Sequence, residues 1–237
     1  MNRNKFYLFL ILFFLESCST GFPEIPPGAT HKFHATDFPD SFVLLTVPNK
    51  YESKRPTPVL IALHGSGDRA EAFHDFWKKS ADSLGLILVT PQGLEKMNMG
   101  FGWNRNEATE RYIKNVLVDV RKRIQIDSTQ IYFAGFSSGG SLAAYLTLKN
   151  TIPNRGTVLF GASLDTHSSL FNSGEKARFY IGHGTLEQNY PHISSVADTL
   201  AQSGHSVRFV PYPNIGHTIP EPKQKELLNA LRWILEK

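Results

Sequence analysis

The chain has 237 residues and a formal net charge of +4, and 41% of its residues are apolar against 19% charged. This net charge is small for the length and no basic run stands out, which argues against a nucleic-acid partner. About 220 residues lie beyond the apolar segment at the N-terminus, and that length is typical of a single domain with a complete core.

The N-terminus has the pattern of a secretion signal. A short basic segment, Asn2–Lys5, precedes an unbroken apolar run from Phe6 to Leu15. About ten apolar residues are too few to span a bilayer, so we predict an export signal rather than a membrane anchor. Leu15-Glu16-Ser17-Cys18 resembles a bacterial lipoprotein box and predicts lipidation of Cys18, the single cysteine of the chain. The alternative is an ordinary cleaved signal with an incidental cysteine nearby.

These features divide the chain into three predicted parts. Residues 1–17 are the signal peptide, residues 18–35 are a tether rich in proline and glycine, and residues 36–237 are the folded domain. The predicted location is the bacterial cell envelope, where a lipid would hold the protein to a membrane. We expect a monomer.

Beyond the tether, predicted strands and helices alternate. The strands are short runs of β-branched, aromatic and other apolar residues: Ser41–Val47, Pro58–Leu63, Leu86–Val89, Gln130–Ala134, Thr157–Phe160, Ala177–Ile181 and Val207–Val210. The helices show helical spacing of apolar residues or a strong helix-forming composition: Arg69–Leu84, Thr109–Ile124, Gly140–Leu146, Ile193–Ala201 and Lys223–Leu235. A long loop is predicted from Gln92 to about Asn106. The alternation predicts an α/β fold with a mostly parallel sheet and helices on both faces.

One of the strand-to-helix turns carries a Gly-x-Ser-x-Gly motif, Gly135-Phe136-Ser137-Ser138-Gly139. In this position the motif predicts a nucleophile elbow, in which a strained turn raises the serine hydroxyl above the carboxyl end of the sheet. A glycine-bearing turn can also meet the pattern by chance. The strand before it and the helix after it favour Ser137 as a catalytic nucleophile.

A nucleophilic serine needs a base, and the base needs a carboxylate that orients it. His217 follows the last predicted strand on a glycine-bearing loop, which is where this fold places its base, whereas His205 and His192 do not follow a strand. Glu187 leaves the preceding strand and is the favoured acid. Asp165, after the strand before that, stays an alternative, and Asp198 falls within a helix.

The oxyanion of an acyl-transfer reaction needs backbone N–H donors. One is predicted at Ser138, directly after the nucleophile. The second is predicted at Ser66, in the glycine-rich segment Leu63-His64-Gly65-Ser66-Gly67 that follows the first buried strand. His183 precedes the acid on the same turn and is predicted to fix that loop by hydrogen bonding.

Five segments together resemble the α/β-hydrolase esterases that are grouped with polyhydroxybutyrate depolymerases and feruloyl esterases. The resemblance extends from about Pro58 to His217 and is carried by Leu63–Gly67, Val89–Gly93, Ile126-Asp127, Gly135–Gly140 and His183-Gly184-Thr185. It implies an α/β-hydrolase fold, a triad of Ser137, the acid position and His217, and an oxyanion hole at Ser66 and Ser138. The chain departs from the family at Glu187, where the family usually has aspartate. Trp103 lies where such esterases often have a tryptophan near the acyl or aryl pocket, although a core role is equally compatible with its position.

The resemblance implies a serine esterase that hydrolyses carboxylic esters through an acyl-enzyme on Ser137. No inserted segment is long enough for a large lid, so we expect an open site that favours short-chain, aryl or polymer-linked esters. This chemistry requires neither a metal nor a cofactor. The alternatives are a serine peptidase of the same fold and a non-catalytic surface lipoprotein that keeps the fold as a binding module.

Overall fold

A computed structural model describes residues 25–164 and 175–236, and an eight-stranded mixed sheet forms its centre. The strands, in chain order, are β1 (Thr30–Ala35), β2 (Phe38–Thr46), β3 (Thr57–Leu63), β4 (Ile87–Pro91), β5 (Glu95–Lys96), β6 (Phe101–Gly102), β7 (Ile126–Phe136), β8 (Gly156–Phe160), β9 (Arg178–Gly184) and β10 (Ser206–Tyr212). The two shortest, β5 and β6, form a separate hairpin.

Five helices connect or follow the strands: α1 (Ala70–Ser83), α2 (Glu107–Arg121), α3 (Ser138–Leu148), α4 (Tyr190–Gln202) and α5 (Lys223–Leu235). Their ends follow local chemistry. The Asn106 side chain caps α2 by accepting a hydrogen bond from the Thr109 N–H at 3.0 Å. Pro191 stands in the first turn of α4, where a proline costs no helical hydrogen bond.

The strand order in the sheet is β1-β2-β4-β3-β7-β8-β9-β10. The first two strands are antiparallel to their neighbours, and the other six run parallel. The carboxyl ends of the six parallel strands therefore meet at one edge. In open sheets of this kind, ligand sites lie at that edge.

The alternating side chains of β3 show how the sheet is covered on both faces. Val59, Ile61 and Leu63 face a core shared with α2, α3 and α4, whereas Leu60 and Ala62 face a core shared with α1 and α5. All of these side chains are fully buried, as expected of a parallel strand with a helical layer on each face. The prediction of a mostly parallel sheet with helices on both faces is confirmed.

The predicted tether is wrong at its C-terminal end. Thr30–Ala35 form the edge strand β1, which pairs with β2 from Thr30↔Thr46 to Ala35↔Phe38, and Ile25 is already part of the core. The strand predicted from Ser41 corresponds to β2, so it is the second strand of the sheet and β1 is the edge. The proline and glycine content before Thr30 suggested a tether, but it does not prevent the following residues from pairing with a strand that has an open edge.

The long loop predicted after β4 contains the hairpin β5–β6. Its second strand is tied to the loop after β3, because the Gly67 N–H donates to the Phe101 carbonyl and the Phe101 N–H donates to the Asp68 carbonyl, both at 2.9 Å. Two-residue strands leave no hydrophobic period, so the sequence pattern could not predict them.

Candidate active site

Ser137 has a strained backbone conformation at the turn between β7 and α3. Its φ is 54° and its ψ is −122°, a positive φ that residues with a side chain rarely adopt. The Ser137 N–H donates to the Phe160 carbonyl at 2.8 Å, and the Ser137 carbonyl accepts from the Ser141 N–H at 2.9 Å. Backbone contacts on both sides hold the strained residue, as expected of a nucleophile elbow.

Glycines allow the elbow to fold this tightly. A Cβ on Gly139 would lie 2.0 Å from the Leu63 carbonyl oxygen, and a Cβ on Gly135 would lie 2.4 Å from the Gly139 carbonyl carbon. Helix α3 therefore begins in direct backbone contact with the end of β3. The two glycines of the motif are required by this close approach.

His217 and Glu187 form the pair that the sequence predicted. The His217 Nδ1 lies 2.6 Å from the Glu187 Oε2. An ionised carboxylate can only accept, so this contact places the imidazole proton on Nδ1 and leaves Nε2 free to act as a base. The Glu187 side chain is 9% exposed and the His217 side chain is 49% exposed, so the acid is shielded while the base faces solvent.

The two loops that carry this pair are joined by backbone contacts. The Leu186 N–H donates to the Ile215 carbonyl at 3.0 Å, and the Asn214 N–H donates to the Thr185 hydroxyl oxygen at 3.0 Å. A Cβ on Gly184 would lie 2.3 Å from the Ile215 carbonyl oxygen, so the loops touch at this point. With the loops in this arrangement, glutamate, which is one methylene longer than the usual aspartate, meets the imidazole at hydrogen-bond distance.

His183 fixes the loop after β9 that carries Glu187, as predicted; this loop is called the acid loop below. His183 is fully buried. Its Nε2 lies 3.0 Å from the Asn189 Oδ1 and 3.5 Å from the Glu187 Oε1. The other Glu187 contact at this oxygen is the Gly184 N–H at 3.3 Å. Both carboxylate oxygens are therefore engaged, which fixes the direction of the oxygen that faces His217.

A chain of polar contacts that the sequence analysis missed connects the acid loop with the elbow. The Asn189 Nδ2 donates to the Ser163 Oγ at 3.2 Å, and the Ser163 N–H donates to the Ser141 Oγ at 3.0 Å. The Ser141 hydroxyl in turn donates to the Ser137 carbonyl at 3.1 Å. No local signal in the sequence marks these residues, because each acts through a partner on a different element.

The His217 imidazole lies beside the elbow. Its ring centroid is 4.8 Å from that of Phe136, and a Cβ on Gly161 would lie 3.0 Å from the His217 Cε1. Within the described residues the Ser137 hydroxyl makes no hydrogen bond. In ligand-free sites the contact between nucleophile and base often tightens only when substrate binds.

The two predicted oxyanion donors adjoin each other. The Ser66 hydroxyl donates to the Ser138 Oγ at 2.8 Å, which joins the loop after β3 to the first residue of α3. Among residues 25–164 and 175–236, neither the Ser66 N–H nor the Ser138 N–H has an acceptor. Both backbone donors are available to a ligand, and the Ser138 donor also lies at the positive end of the α3 dipole.

Buried polar side chains hold the segment Leu63–Gly67, which carries the Ser66 donor and is called the oxyanion loop below. The His64 Nε2 accepts from the Gly93 N–H at 2.9 Å and lies 3.0 Å from the Gln92 Nε2, while its Nδ1 lies 2.8 Å from the Gly65 carbonyl. Burial lowers the pKa of His64, which keeps the ring neutral with its proton on Nδ1. Gln92 completes the link because its Oε1 accepts from the Ala70 N–H at 3.1 Å.

Trp103 also holds the oxyanion loop in place. Its indole is 8% exposed and packs in the core, and its Nε1 donates to the His64 carbonyl at 2.8 Å. Its ring also lies 5.1 Å from the His64 ring. The structure therefore shows Trp103 holding the oxyanion loop, and a direct contact with substrate stays a prediction.

The remaining sequence candidates lie away from the triad or outside the described residues. The His192 Nε2 bonds the Leu164 carbonyl, His205 lies at the amino-terminal edge of the sheet against Ala177, and Asp198 is exposed on α4. The alternative acid Asp165 and the predicted lipidation site Cys18 lie outside the described residues. Within residues 25–164 and 175–236, no helix has the length and apolarity that a membrane span needs.

A family model described as phospholipase/carboxylesterase matches residues 102–235, more than half of the chain. The chain belongs to this family. The matched segment contains the elbow, Glu187 and His217, and the family membership confirms the predicted α/β-hydrolase fold.

Known proteins give the same picture of the fold. A bifunctional acetylxylan esterase/xylanase from Neocallimastix patriciarum is 28% identical over 116 residues, which cover 45% of this chain and 17% of that much longer protein. A carboxylesterase structure from Mesorhizobium loti is similar with a TM-score of 0.69 at 20% identity, covering 85% of this chain and 98% of that one. A ferulic acid esterase structure has a TM-score of 0.69 at 15% identity, covering 87% and 96% of the two chains.

Proposed function

We propose that this member of the phospholipase/carboxylesterase family is a serine esterase that hydrolyses carboxylic esters through an acyl-enzyme on Ser137. One arrangement carries the proposal. A serine at a positive φ is accompanied by two backbone N–H donors that have no acceptor within the described residues, and by an imidazole that is hydrogen-bonded to a shielded carboxylate. These are the nucleophile, the oxyanion hole, the base and the orienting acid that acyl transfer requires.

In the acylation step, the Ser137 oxygen attacks the ester carbonyl carbon while the His217 Nε2 takes the hydroxyl proton. The negative charge that develops on the carbonyl oxygen is stabilised by the N–H groups of Ser66 and Ser138. Glu187 stabilises the imidazolium and keeps its Nδ1 proton in place. The bond to the alcohol oxygen then breaks, and the proton on His217 Nε2 passes to that oxygen.

In the deacylation step, a water molecule takes the place of the alcohol. His217 accepts one proton from the water as its oxygen attacks the acyl carbon, and the same oxyanion donors stabilise the second tetrahedral intermediate. When the bond to Ser137 breaks, His217 returns the proton to the serine oxygen. The carboxylic acid leaves and the enzyme is restored.

The His217 side chain is half-exposed, which is consistent with an active site that is open to solvent. An open site favours short-chain, aryl or polymer-linked esters as substrates. The relatives named for acetylxylan and ferulic acid esters support the same range of substrates. The narrower grouping with polyhydroxybutyrate depolymerases and feruloyl esterases is part of this proposal.

The test of the proposed function is Ser137→Ala. The variant should fold as the wild type does, and its hydrolysis of p-nitrophenyl acetate should fall by at least about a thousandfold because the acyl-enzyme can no longer form. A fluorophosphonate probe should label the wild type and leave the variant unlabelled. Equal labelling of the two proteins, with unchanged melting temperatures, would show that another residue is the nucleophile.

We also propose that the mature protein is anchored to the cell envelope by a lipid on Cys18, as the short apolar run that ends near this cysteine suggests. In cells, the wild type should fractionate with membranes. Cys18→Ser should appear as unprocessed precursor or in the soluble fraction. A processed wild type that is soluble and carries no lipid mass on its N-terminus would refute the proposal.

A further inference from the structure

An apolar cleft opens beside the elbow. Its apolar walls are Phe73 and Phe76 from α1, Phe136 from the elbow and Ile219 from the loop after His217, and the charged residues Asp68 and Lys223 also line it. We call it the phenylalanine cleft. Its volume is about 270 Å³. A water molecule, which has one non-hydrogen atom, occupies roughly 30 Å³ in the liquid. At that volume for each non-hydrogen atom, the cleft holds a group of about nine such atoms.

The position of the phenylalanine cleft relative to His217 determines which part of an ester it can receive. Phe136 directly precedes the nucleophile, and its ring lies 4.8 Å from the His217 imidazole. Thr218 and Ile219, which directly follow His217, also line the cleft. The cleft therefore opens on the side of the base rather than on the side of the acid loop.

The chemistry requires the leaving alcohol to be on this side. The alcohol oxygen must receive its proton from the His217 Nε2 when its bond to the acyl carbon breaks, so this oxygen has to lie within hydrogen-bond distance of the imidazole. A substituent on that oxygen then extends past the imidazole, towards Phe136 and Ile219. The acyl substituent, in contrast, needs no contact with His217.

A second cleft shares Asp68 and Ala72 with the phenylalanine cleft but extends to the hairpin β5–β6, and its chemistry differs. Polar and charged side chains from the loop after β3 and the hairpin line it, including Arg69, Lys96 and Asn98 next to Met97 and Met99. We call it the hairpin cleft. None of its lining residues adjoins His217 or Ser137 in sequence, and its volume of about 680 Å³ is much larger. An apolar group on the alcohol oxygen is matched by the phenylalanine cleft, both in wall chemistry and in distance from the base.

We propose that the phenylalanine cleft is the leaving-alcohol subsite, and that it selects esters whose alcohol carries an apolar, preferably aromatic, group of up to about nine non-hydrogen atoms. The proposal rests on the proposed esterase function. In the step that it concerns, the bond between the acyl carbon and the alcohol oxygen breaks, the carbonyl double bond reforms, and the alcohol takes the His217 proton. The apolar group leaves the cleft with its alcohol, and the acyl group stays on Ser137.

The experiment compares 2-phenylethyl acetate with ethyl acetate. Both have the same acyl group and a primary alkyl alcohol, so they differ mainly in the group that would enter the cleft. For the wild type we expect a kcat/KM at least about tenfold higher for the phenylethyl ester, equivalent to about 1.4 kcal/mol. Phe76→Ala removes one wall and should bring this preference to within about threefold of unity, and Phe76→Leu should give an intermediate preference with a milder effect on folding.

Two measurements separate this proposal from a general loss of activity. The acetyl-enzyme is the same for both esters, so its hydrolysis by water should proceed in Phe76→Ala at a rate within twofold of the wild type. Met99→Ala, which changes an exposed side chain of the hairpin cleft, is the matched control and should keep the wild-type preference.

The outcomes distinguish failure of the subsite from failure of the enzyme. If neither protein hydrolyses any acetate ester and no acetyl-enzyme forms, the proposed function itself fails. If esters are hydrolysed and Phe76→Ala keeps the preference for the phenylethyl ester, the cleft does not bind the alcohol. If Phe76→Ala instead changes the dependence on acyl chain length among p-nitrophenyl esters, the cleft binds the acyl group and the assignment is overturned.

Discussion

The two sides of Ser137 are held in place by different kinds of contact. On the oxyanion side, the buried side chains of His64, Gln92 and Trp103 hold the loop through hydrogen bonds to its backbone and to its neighbours. On the base side, two loops are joined mainly through their backbones, and the one side-chain hydrogen bond of His217 within residues 25–164 and 175–236 is to Glu187. The imidazole is 49% exposed, whereas His64 is fully buried.

This difference agrees with what the proposed acyl transfer requires of each side. Oxyanion donors stabilise charge best when they need no reorganisation, so a buried and fully bonded support is an advantage. The base takes a proton from the serine and gives it to the leaving alcohol, so it must face two oxygens in turn and be reached by water. We therefore expect the base side to depend on a single carboxylate and the oxyanion side to depend on several smaller contributions.

The largest effect is expected from Glu187→Gln, which replaces the carboxylate that is hydrogen-bonded to His217. The amide can no longer stabilise the imidazolium, and it offers an N–H where His217 needs an acceptor. Turnover at neutral pH should fall by more than about a hundredfold with little change in substrate binding. Steady-state kinetics with p-nitrophenyl acetate would measure this.

Two further variants serve as controls for the acid. Glu187→Asp keeps the charge and introduces the residue that is usual in the esterases that the sequence resembles, so partial activity should survive. Asp165→Asn should cost far less than Glu187→Gln. If turnover falls strongly in Asp165→Asn and is nearly unchanged in Glu187→Gln, the acid is Asp165.

A smaller effect is expected from Trp103→Phe on the oxyanion side. The change keeps an aromatic ring but removes the N–H that bonds the His64 carbonyl. The loss of one such bond, about 1 kcal/mol, should lower kcat by about fivefold while KM is unchanged. Stopped-flow measurement of acylation and steady-state KM values would separate the two.

Trp77→Phe is the matched control for this variant. Trp77 is fully buried and its Nε1 has no partner within the described residues, so the same chemical change removes no hydrogen bond. Its kcat should stay within twofold of the wild type even if its melting temperature falls. A Trp103→Phe variant that raises KM and leaves kcat unchanged would show a direct contact with substrate instead.

The smallest effect on activity is expected at His74, which lies in the buried layer near the oxyanion support. Its Nε2 bonds the Thr46 hydroxyl at 2.7 Å and its Nδ1 bonds the Thr90 hydroxyl at 2.9 Å. Burial lowers the pKa of His74 from 6.5 to about 4. Because the unfolded chain binds the proton more readily, this histidine contributes stability that is present above pH 6.5 and is lost as the pH falls towards 4.

The linkage predicts a loss of roughly 3 kcal/mol of unfolding free energy from His74 across that range. Denaturant titrations at several pH values would measure it. In His74→Gln this part of the pH dependence should disappear, while activity at neutral pH stays within twofold of the wild type. His31→Gln, at an exposed position, should keep the wild-type pH dependence. An unchanged slope in His74→Gln would contradict the prediction.

The predictions from sequence were most successful where the signal is local. The continuous apolar run of β3, the helical spacing in α1 and α2, and the strand–Gly-x-Ser-x-Gly–helix order at the elbow each depend on neighbouring residues. The elements they predict are present within a few residues of the expected bounds. Strand β1 was missed because Thr30–Ala35 follow a proline- and glycine-rich stretch, and their pairing with β2 depends on an open sheet edge.

The sequence by itself determined the fold class and predicted the elbow at Ser137 and the order of the proposed triad, because side-chain patterns and turn motifs are properties of short segments. Only the tertiary structure decided that Glu187 reaches His217, that Trp103 supports the oxyanion loop, and that a cleft of phenylalanines opens beside the base. Each of these depends on the distance between loops that are far apart in the chain. Such distances are set by how the sheet and helices pack, and no short segment of the sequence contains them.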